Sequence, residues 1–253
     1  MCSEKLRCDG ELDHLNHISN QTGVVTQLQT SKAGARLTAS THRFVKDNPA
    51  NLVNVDIEID RSHKHQKLLG FGGSITDITG FEIGRMPLEL QRRLIKDYYG
   101  PDGHEYRFTR ITIGGSDYST RLYSLDDHPK DESLSTFALQ NEDFVYKMPF
   151  MKMAKEVSRH PVNFFGSAWS APAWMKTNGE LNNGGFLKDH PGGKYYKAYA
   201  HYLVRFLQEY KKNGLPMWGL TTLNEPGVFG KGHTFPYNCM GMSAEDQRGI
   251  LFF

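Results

Sequence analysis

Short apolar segments alternate with longer amphipathic segments from about residue 67 onward, and this order restricts the fold more than any other feature of the sequence. The strand-like segments are residues 68–73, 106–113, 162–167 and 217–223. Helix-like segments lie between them, one after Pro87, one at 150–159 and one at 195–212. Strands that alternate with helices in this way predict a parallel β-sheet with helical connections, that is, an α/β fold.

Capping signals mark the ends of several predicted helices. Pro149 lies in the first turn of the second helix, and Asn213-Gly214 ends the third. Ser243, followed by acidic residues, starts a further helix that runs towards the apolar residues 250–253. This apolar end either docks on the existing core or requires a covering segment, and a half-wound sheet would also leave a strand edge unpaired.

Residues 1–66 have the pattern of strands and turns rather than of helices. Apolar and polar residues alternate over 53–60, which is the period of a half-buried strand, and residues 24–30 are a second strand candidate. We therefore divide the chain into an N-terminal β segment, residues 1–66, and an α/β domain, residues 67–253.

Charge, cysteine content and glycine spacing exclude several classes of function. The formal net charge is +2, so the sequence lacks the basic surface that binds nucleic acid. Cys2 and Cys8 could close a small loop and leave Cys239 unpaired, and none of the cysteines has zinc-ligand spacing. The glycines at 70–73 match neither a dinucleotide-binding fingerprint nor a P-loop, so we predict no metal and no cofactor. No stretch is long enough to span a bilayer, and residues 1–7 contain no apolar run of the kind that a signal peptide carries.

Glu225 is the main catalytic candidate, because it follows the fourth predicted strand. In a parallel barrel the functional groups lie at the C-terminal ends of the strands. Pro226 disfavours the right-handed helical region for the preceding residue, so we expect an extended backbone at Glu225. Asn224 offers an amide to a sugar hydroxyl, and a carboxylic acid is the group that protonates a glycosidic oxygen. Taken alone, Asn-Glu-Pro is also a common turn, and the neighbouring segments decide between the two interpretations.

Polar and aromatic residues follow the other predicted strands. The loop at 166–179 carries Trp169 and Trp174, whose indole faces either stack on a sugar or cover the end of the barrel. Arg110 lies within the second strand and needs an anion partner if it points into a barrel. Asp117 follows that strand and either accepts two hydroxyls of one sugar or is a surface residue in a turn.

Together these segments resemble the glucosylceramidases of glycoside hydrolase family 30. The similarity covers about residues 65–253 and runs in the family's order through residues 70–77, 110–117, 167–179, 224–226 and 236–239. The resemblance implies an α/β fold in which this chain contains about the first four strands, half of a (β/α)8 TIM barrel. It also implies that the preceding β-strands belong to an accessory β-sandwich.

The resemblance implies a role for each matching polar residue. Glu225 is the acid/base that protonates the leaving oxygen and later activates water. Asn224 contacts the glucose near its 2-hydroxyl, while Asp117 and Trp169 grip its non-reducing side. Arg110 supports the catalytic carboxylates.

The resemblance further implies a substrate and a setting. Phe235 and Tyr237 become candidates for contact with the aglycone. The family hydrolyses the β-glucosidic bond of glucosylceramide with retention, giving glucose and ceramide, in lysosomes. Glucosylceramide at a membrane surface and a saposin-like activator are therefore the expected partners.

One feature departs from the family pattern. The family's nucleophilic glutamate lies in a much later Ser-Glu segment, and no counterpart follows Glu225. We therefore interpret the sequence as the N-terminal portion of a glucosylceramidase, a truncated form that lacks the nucleophile. The alternatives are a catalytically inactive half-barrel that binds sugar, or a relative acting on another β-glycoside such as a xylan. The segment 173–179 resembles the glucosylceramide branch and favours that substrate.

Overall fold

The chain divides into two compact units, Met1–Lys67 and Leu68–Phe253. A computed structural model describes residue 19 and residues 21–45, 58–229 and 234–251. Cys2, Cys8 and most of the strand predicted at 53–60 lie outside the described residues. No helix in the described part of the chain is long and apolar enough to cross a membrane.

The first unit contains an antiparallel pair of strands. Strand β1 (Val24–Gln29) pairs with β2 (Thr38–Arg43) in a register that places Val24 opposite Arg43. The strand predicted at 24–30 is thus confirmed, whereas β2 was not predicted. All six residues of β2 are exposed and polar or small, so the segment carries no apolar alternation. Membership of these strands in a β-sandwich stays a prediction.

The second unit contains a parallel sheet of four strands. These are β3 (Gly72–Ile75), β4 (Phe108–Ile113), β5 (Asn163–Ala168) and β6 (Gly219–Thr221), and they lie side by side in chain order. Every neighbouring pair is parallel. The predicted α/β fold is therefore confirmed, with the C-terminal ends of all four strands at one edge of the sheet.

Five α-helices accompany this sheet. They are α1 (Asp77–Gly84), α2 (Leu88–Tyr99), α3 (Met148–Val157), α4 (Lys194–Lys212) and α5 (Ala244–Ile250). The helices predicted after Pro87, near 150–159 and at 195–212 correspond to α2, α3 and α4. At α5, the Ser243 side chain accepts a hydrogen bond from the Asp246 amide, and the Asp246 carboxylate accepts one from the Ser243 amide. This capping box lies at the predicted start of the helix.

Helix α1 was not predicted, because its apolar residues do not fall on one face. It begins at a cap in which the Thr76 side chain accepts a hydrogen bond from the Thr79 amide at 3.1 Å. Gly80 lies against the chain at Tyr146, where a Cβ atom would meet the Tyr146 carbonyl oxygen at 1.6 Å. A glycine is required there for α1 to approach the helical turn Asp143–Lys147 that precedes α3.

A buried ion pair lies behind the C-terminal ends of the strands. The Lys147 ammonium donates to Asp143 Oδ1 at 2.9 Å and to the Thr112 carbonyl at 3.0 Å, and neither charged side chain is exposed. Tyr210 of α4 donates to the same Asp143 oxygen at 2.7 Å, and the Gln140 amide donates to the other oxygen at 2.9 Å. Each charge of this pair has an opposite charge beside it, so removal of one partner is expected to lower the free energy of unfolding.

Candidate active site

Arg110 joins three strands at the C-terminal edge of the parallel sheet. Its Nη2 donates to Ser167 Oγ at 2.8 Å and to Asn224 Oδ1 at 2.7 Å. Ser167 in turn contacts Thr221 Oγ1 at 2.6 Å, so β4, β5 and β6 are connected through side chains as well as through the sheet. This network fixes the position of Asn224, which is buried.

The charge of Arg110 is stabilised by an aromatic ring in direct contact and by two carboxylates farther away. The guanidinium lies 4.4 Å from the centre of a Trp169 ring, a cation–π contact. Burial lowers the pKa of Arg110, and the charges of Glu225 and Asp117 act in the opposite direction. The predicted anion partners are therefore near, but the direct hydrogen bonds of Arg110 go to neutral groups.

Glu225 follows directly on the fixed Asn224. The Asn224 amide donates to the Ala168 carbonyl at 2.7 Å, which holds the loop after β6 against β5. The Glu225 side chain is exposed, so its carboxyl group is accessible to a ligand.

The extended backbone predicted for Glu225 is wrong. Its φ is +44°, in the left-handed region, and its carbonyl accepts from the Val228 amide at 3.0 Å to close a turn. Pro226 disfavours the right-handed region but leaves the left-handed one open, and the turn selects it. A non-glycine residue at positive φ is uncommon and is enriched at functional sites.

The two tryptophans of the loop after β5 have different surroundings. Trp174 is buried and its Nε1 donates to the Asp126 carbonyl at 3.2 Å, which matches a covering role. Trp169 is also mostly buried, but it lies on Arg110 beside Asn224. Of the two, Trp169 is the one that contacts the Arg110 network.

Aromatic rings gather on the other side of Glu225. Phe235 and Tyr237 lie 5.3 Å apart, and Phe229 contacts both, with ring centres at 5.0 Å and 6.3 Å. Burial raises the pKa of Tyr237, and the charges of Cys239, Asp117 and Glu225 raise it further. Both Tyr237 and Arg110 therefore lie within reach of the Asp117 and Glu225 charges, and both carboxylates are exposed. All seven predicted site residues are thus gathered around this edge of the sheet.

Lys176 anchors the chain beneath the aromatic rings. Its fully buried ammonium donates to the Cys239 carbonyl at 2.8 Å and to the Leu181 carbonyl at 3.1 Å. Burial lowers its pKa from 10.5 to about 8, although Cys239 and Glu180 act in the opposite direction. The segment that carries Tyr237 is thereby tied to the loop after β5.

The depressed pKa of Lys176 predicts a stability that rises with pH. Between about pH 8 and pH 10.5 the unfolded chain binds more protons than the folded chain, so alkali favours folding. From pH 8 to pH 9.5 the free energy of unfolding should rise by about 2 kcal/mol more in the wild type than in Lys176→Met. Urea titrations across this range measure the difference, and parallel pH profiles for the two proteins would contradict it.

Sequence reasoning missed several residues of this site. Ser167 and Thr221 lie on strands β5 and β6, and their hydroxyls belong to the Arg110 network. Each is a hydroxyl residue near the end of a predicted strand, two or three residues before a predicted site residue (Trp169 or Asn224). This position could have identified them. Lys176 and Asn238 lie in segments that carry the family resemblance, but no role was assigned to them because their hydrogen-bond partners are distant in the chain. No group of three or more metal-ligating side chains occurs within the part of the chain that the structure describes.

Comparison with known proteins identifies relatives of this arrangement. A model of the glycosyl hydrolase family 30 TIM-barrel domain matches residues 68–252. Putative glucosylceramidase 2 of Caenorhabditis elegans is 36% identical over 246 residues, covering 96% of this chain and 46% of that protein. Lysosomal acid glucosylceramidase of Mus musculus is 33% identical over 231 residues, covering 90% of this chain and 44% of that protein.

A solved structure supports the same relationship. The structure of an endo-β1,6-glucanase superposes with a TM-score of 0.68 and 26% identity, covering 85% of this chain and 44% of that one. The chain spans about half the length of the curated relatives it matches. Since the domain match runs through β3 to β6 and includes Arg110, Trp169, Asn224 and Glu225, the chain belongs to glycosyl hydrolase family 30.

Proposed function

We propose that this chain carries the acid/base part of a retaining β-glucosidase site that hydrolyses glucosylceramide to glucose and ceramide. The observation that carries the proposal is the Arg110 network. It holds Asn224 by a 2.7 Å hydrogen bond and thereby fixes the start of the turn that presents Glu225. Trp169, one face of which is covered by Arg110, is the aromatic residue that we assign to the glucose side of the site.

Glu225 acts twice in the proposed reaction. Its carboxylic acid first gives its proton to the glycosidic oxygen while the bond to the anomeric carbon breaks and ceramide leaves as an alcohol. In the retaining mechanism a second carboxylate, about 5 Å away, takes up the glucosyl group at that carbon. Water then attacks the anomeric carbon, the Glu225 carboxylate accepts the water's proton, and the second carboxylate is released. The net reaction consumes one water and regenerates both carboxyl groups.

The remaining site residues recognise the two parts of the substrate. Asp117 accepts hydrogen bonds from glucose hydroxyls, and Asn224 offers its amide near the anomeric centre. Phe235 and Tyr237 form an apolar wall on the side where the leaving group departs. A lipid aglycone fits this wall, and the name of the mouse relative suggests a lysosomal setting at a membrane surface.

A second candidate substrate is a β-1,6-glucan. Several relatives are endo-1,6-β-glucanases, among them a Trichoderma harzianum enzyme that is 29% identical over 182 residues. The same acid/base would serve there, because the leaving group is again an alcohol. The aromatic residues Phe235 and Tyr237 could contact either a lipid chain or a second sugar ring. The two substrates differ only in this leaving group, so an experiment must distinguish them.

Release of reducing sugar from two substrates tests this proposal. A longer protein that contains this chain together with the second carboxylate is incubated with glucosylceramide in phosphatidylserine vesicles and, separately, with a soluble β-1,6-glucan at acid pH. We expect hydrolysis of the lipid and little of the glucan, and for the present chain alone we expect binding of methyl β-thioglucoside without hydrolysis. Preferential hydrolysis of the glucan would favour the second substrate. Hydrolysis of neither substrate would overturn the proposal.

Removal of the Arg110 side-chain charge is expected to weaken glucoside binding. Arg110→Met breaks the hydrogen bonds to Ser167 and Asn224, so the turn at Glu225 loses its support. We expect affinity for methyl β-thioglucoside to fall by about tenfold or more, measured by calorimetry. Arg93→Met is the control, since Arg93 lies on the exposed face of α2 and pairs only with Asp97 there. Equal affinities of the two variants would contradict the role of Arg110.

A further inference from the structure

Asn238 connects the two loops that border the leaving-group side. Its side chain is 1% exposed, and its Nδ2 donates to the carbonyl of Tyr123 at 2.8 Å. The Gly115 amide donates to the same carbonyl at 3.0 Å. One oxygen atom therefore holds both the turn after β4, which leads to Asp117, and the segment that carries Tyr237.

The shared anchor is itself rigid. The Tyr123 side chain is fully buried, its hydroxyl donates to Asp77 Oδ2 at 3.2 Å, and the Arg121 guanidinium lies 4.5 Å above its ring. Asp77 opens helix α1 just beyond β3, so the Tyr123 backbone is fixed relative to the sheet. A carbonyl held in this way defines the position of whatever donates to it.

The two loops approach each other closely at Asn238. A Cβ atom on Gly115 would lie 3.0 Å from Asn238 Oδ1 and 3.2 Å from Tyr123 Cδ1. No side chain separates the two segments at this point. Residues 235–239 are also bonded to the loop after β5, through the Phe235 and Cys239 carbonyls. The Asn238 hydrogen bond is the contact that links this segment to the turn carrying Asp117.

We propose that Asn238 is a positioning residue that holds the aromatic segment Phe235–Tyr237 against the Asp117 turn and so selects substrates by their leaving group. The identity of the substrate rests on the proposed function, whereas the link between the two loops does not. Loss of the bond leaves the Tyr123 carbonyl with one donor, and the aromatic segment, still bonded to the loop after β5, can shift away from the Asp117 turn. Contact with the aglycone is then weakened, while Asn224 and Trp169, both held by Arg110, keep the contact with the glucose.

Hydrogen exchange tests the link without any need for activity. Deuterium uptake is followed by mass spectrometry in Asn238→Ala and in Asn238→Asp, which keeps the size of the side chain but removes its N–H donors. We expect faster uptake at residues 234–241 and also at residues 114–119 in both variants. Asn213→Ala is the control, because Asn213 donates a similar bond to the Glu209 carbonyl at the end of α4. Unchanged uptake at 114–119 in both Asn238 variants would overturn the proposal.

Binding of two hydrolysis-resistant ligands tests the selectivity. Methyl and octyl β-thioglucoside share the glucose and differ in the leaving-group side. We expect the affinity for the octyl compound to fall by about tenfold in the Asn238 variants, and the affinity for the methyl compound to fall much less. Equal losses, or none, would overturn the selective role. If the wild type binds neither ligand, the proposed function fails, and the exchange rates alone support or overturn the link between the loops.

Discussion

In a longer protein that contains this chain together with the second carboxylate, Glu225→Gln is expected to lower kcat for glucosylceramide by about a thousandfold, since general acid catalysis of this kind contributes roughly 10²–10⁴. The amide keeps the size and the backbone of the turn but has no proton to give to the ceramide oxygen. An activated aryl glucoside has a leaving group that departs without a proton. Its first step should therefore be affected far less, and steady-state and burst kinetics on the two substrates measure the contrast.

A matched substitution separates this effect from a general loss of negative charge. Glu245 lies at the start of α5, away from the Arg110 network, and Glu245→Gln removes the same charge. We expect this control to retain wild-type kcat on both substrates. Equal losses on lipid and aryl glucoside in Glu225→Gln would show that Glu225 is not the acid.

Asp143→Ala is expected to lower the free energy of unfolding by about 3–5 kcal/mol, because it leaves the buried Lys147 charge without its partner. Neither side chain is exposed, and Asp143 also accepts hydrogen bonds from Tyr210 and the Gln140 amide. A single substitution thus leaves several buried donors unsatisfied. Urea unfolding followed by circular dichroism measures the loss.

An exposed carboxylate provides the comparison for this buried one. Asp97 pairs with Arg93 at 2.7 Å on the surface of α2, and Asp97→Ala should cost less than about 1 kcal/mol. Similar losses in the two variants would mean that Lys147 finds another partner or loses its proton when Asp143 is absent. The account of the buried pair would then be wrong.

The parallel sheet was predictable from sequence because its strands and most of its helices are specified locally. Strands β4 and β5 coincide with predicted apolar segments, and α2 and α4 each bury one stripe of residues. Strand β3 starts at Gly72, near the end of the segment predicted at 68–73, whose apolar residues are exposed. Helix α1 lacks such a stripe, and its packing depends on Gly80 fitting against Tyr146, which lies 66 residues later. The only sequence signal for α1 is the capping residue Thr76, and a single capping residue does not establish a helix.

The site was predictable in its residues but not in its geometry. Glu225, Asn224 and Trp169 stand out because polar and aromatic residues follow predicted strands. The left-handed backbone of Glu225 was not foreseen, because the rule for residues before proline excludes one region without choosing among the others. Asn238 belongs to the resembling segment 236–239, but its role was not predicted. Its partner, the Tyr123 carbonyl, is 115 residues away, and the sequence does not show which backbone oxygen a side chain bonds.

A crystal structure of the chain with octyl β-thioglucoside tests the central claim most directly. The account predicts a glucose ring on Trp169, in contact with Asp117 and Asn224. The sulfur should lie at about 3 Å from a Glu225 carboxyl oxygen, as a proton donor to that position requires. A ligand bound elsewhere, such as in the cavity of about 410 Å³ beside Tyr98, Tyr99 and Tyr106, with Glu225 out of reach, would contradict it.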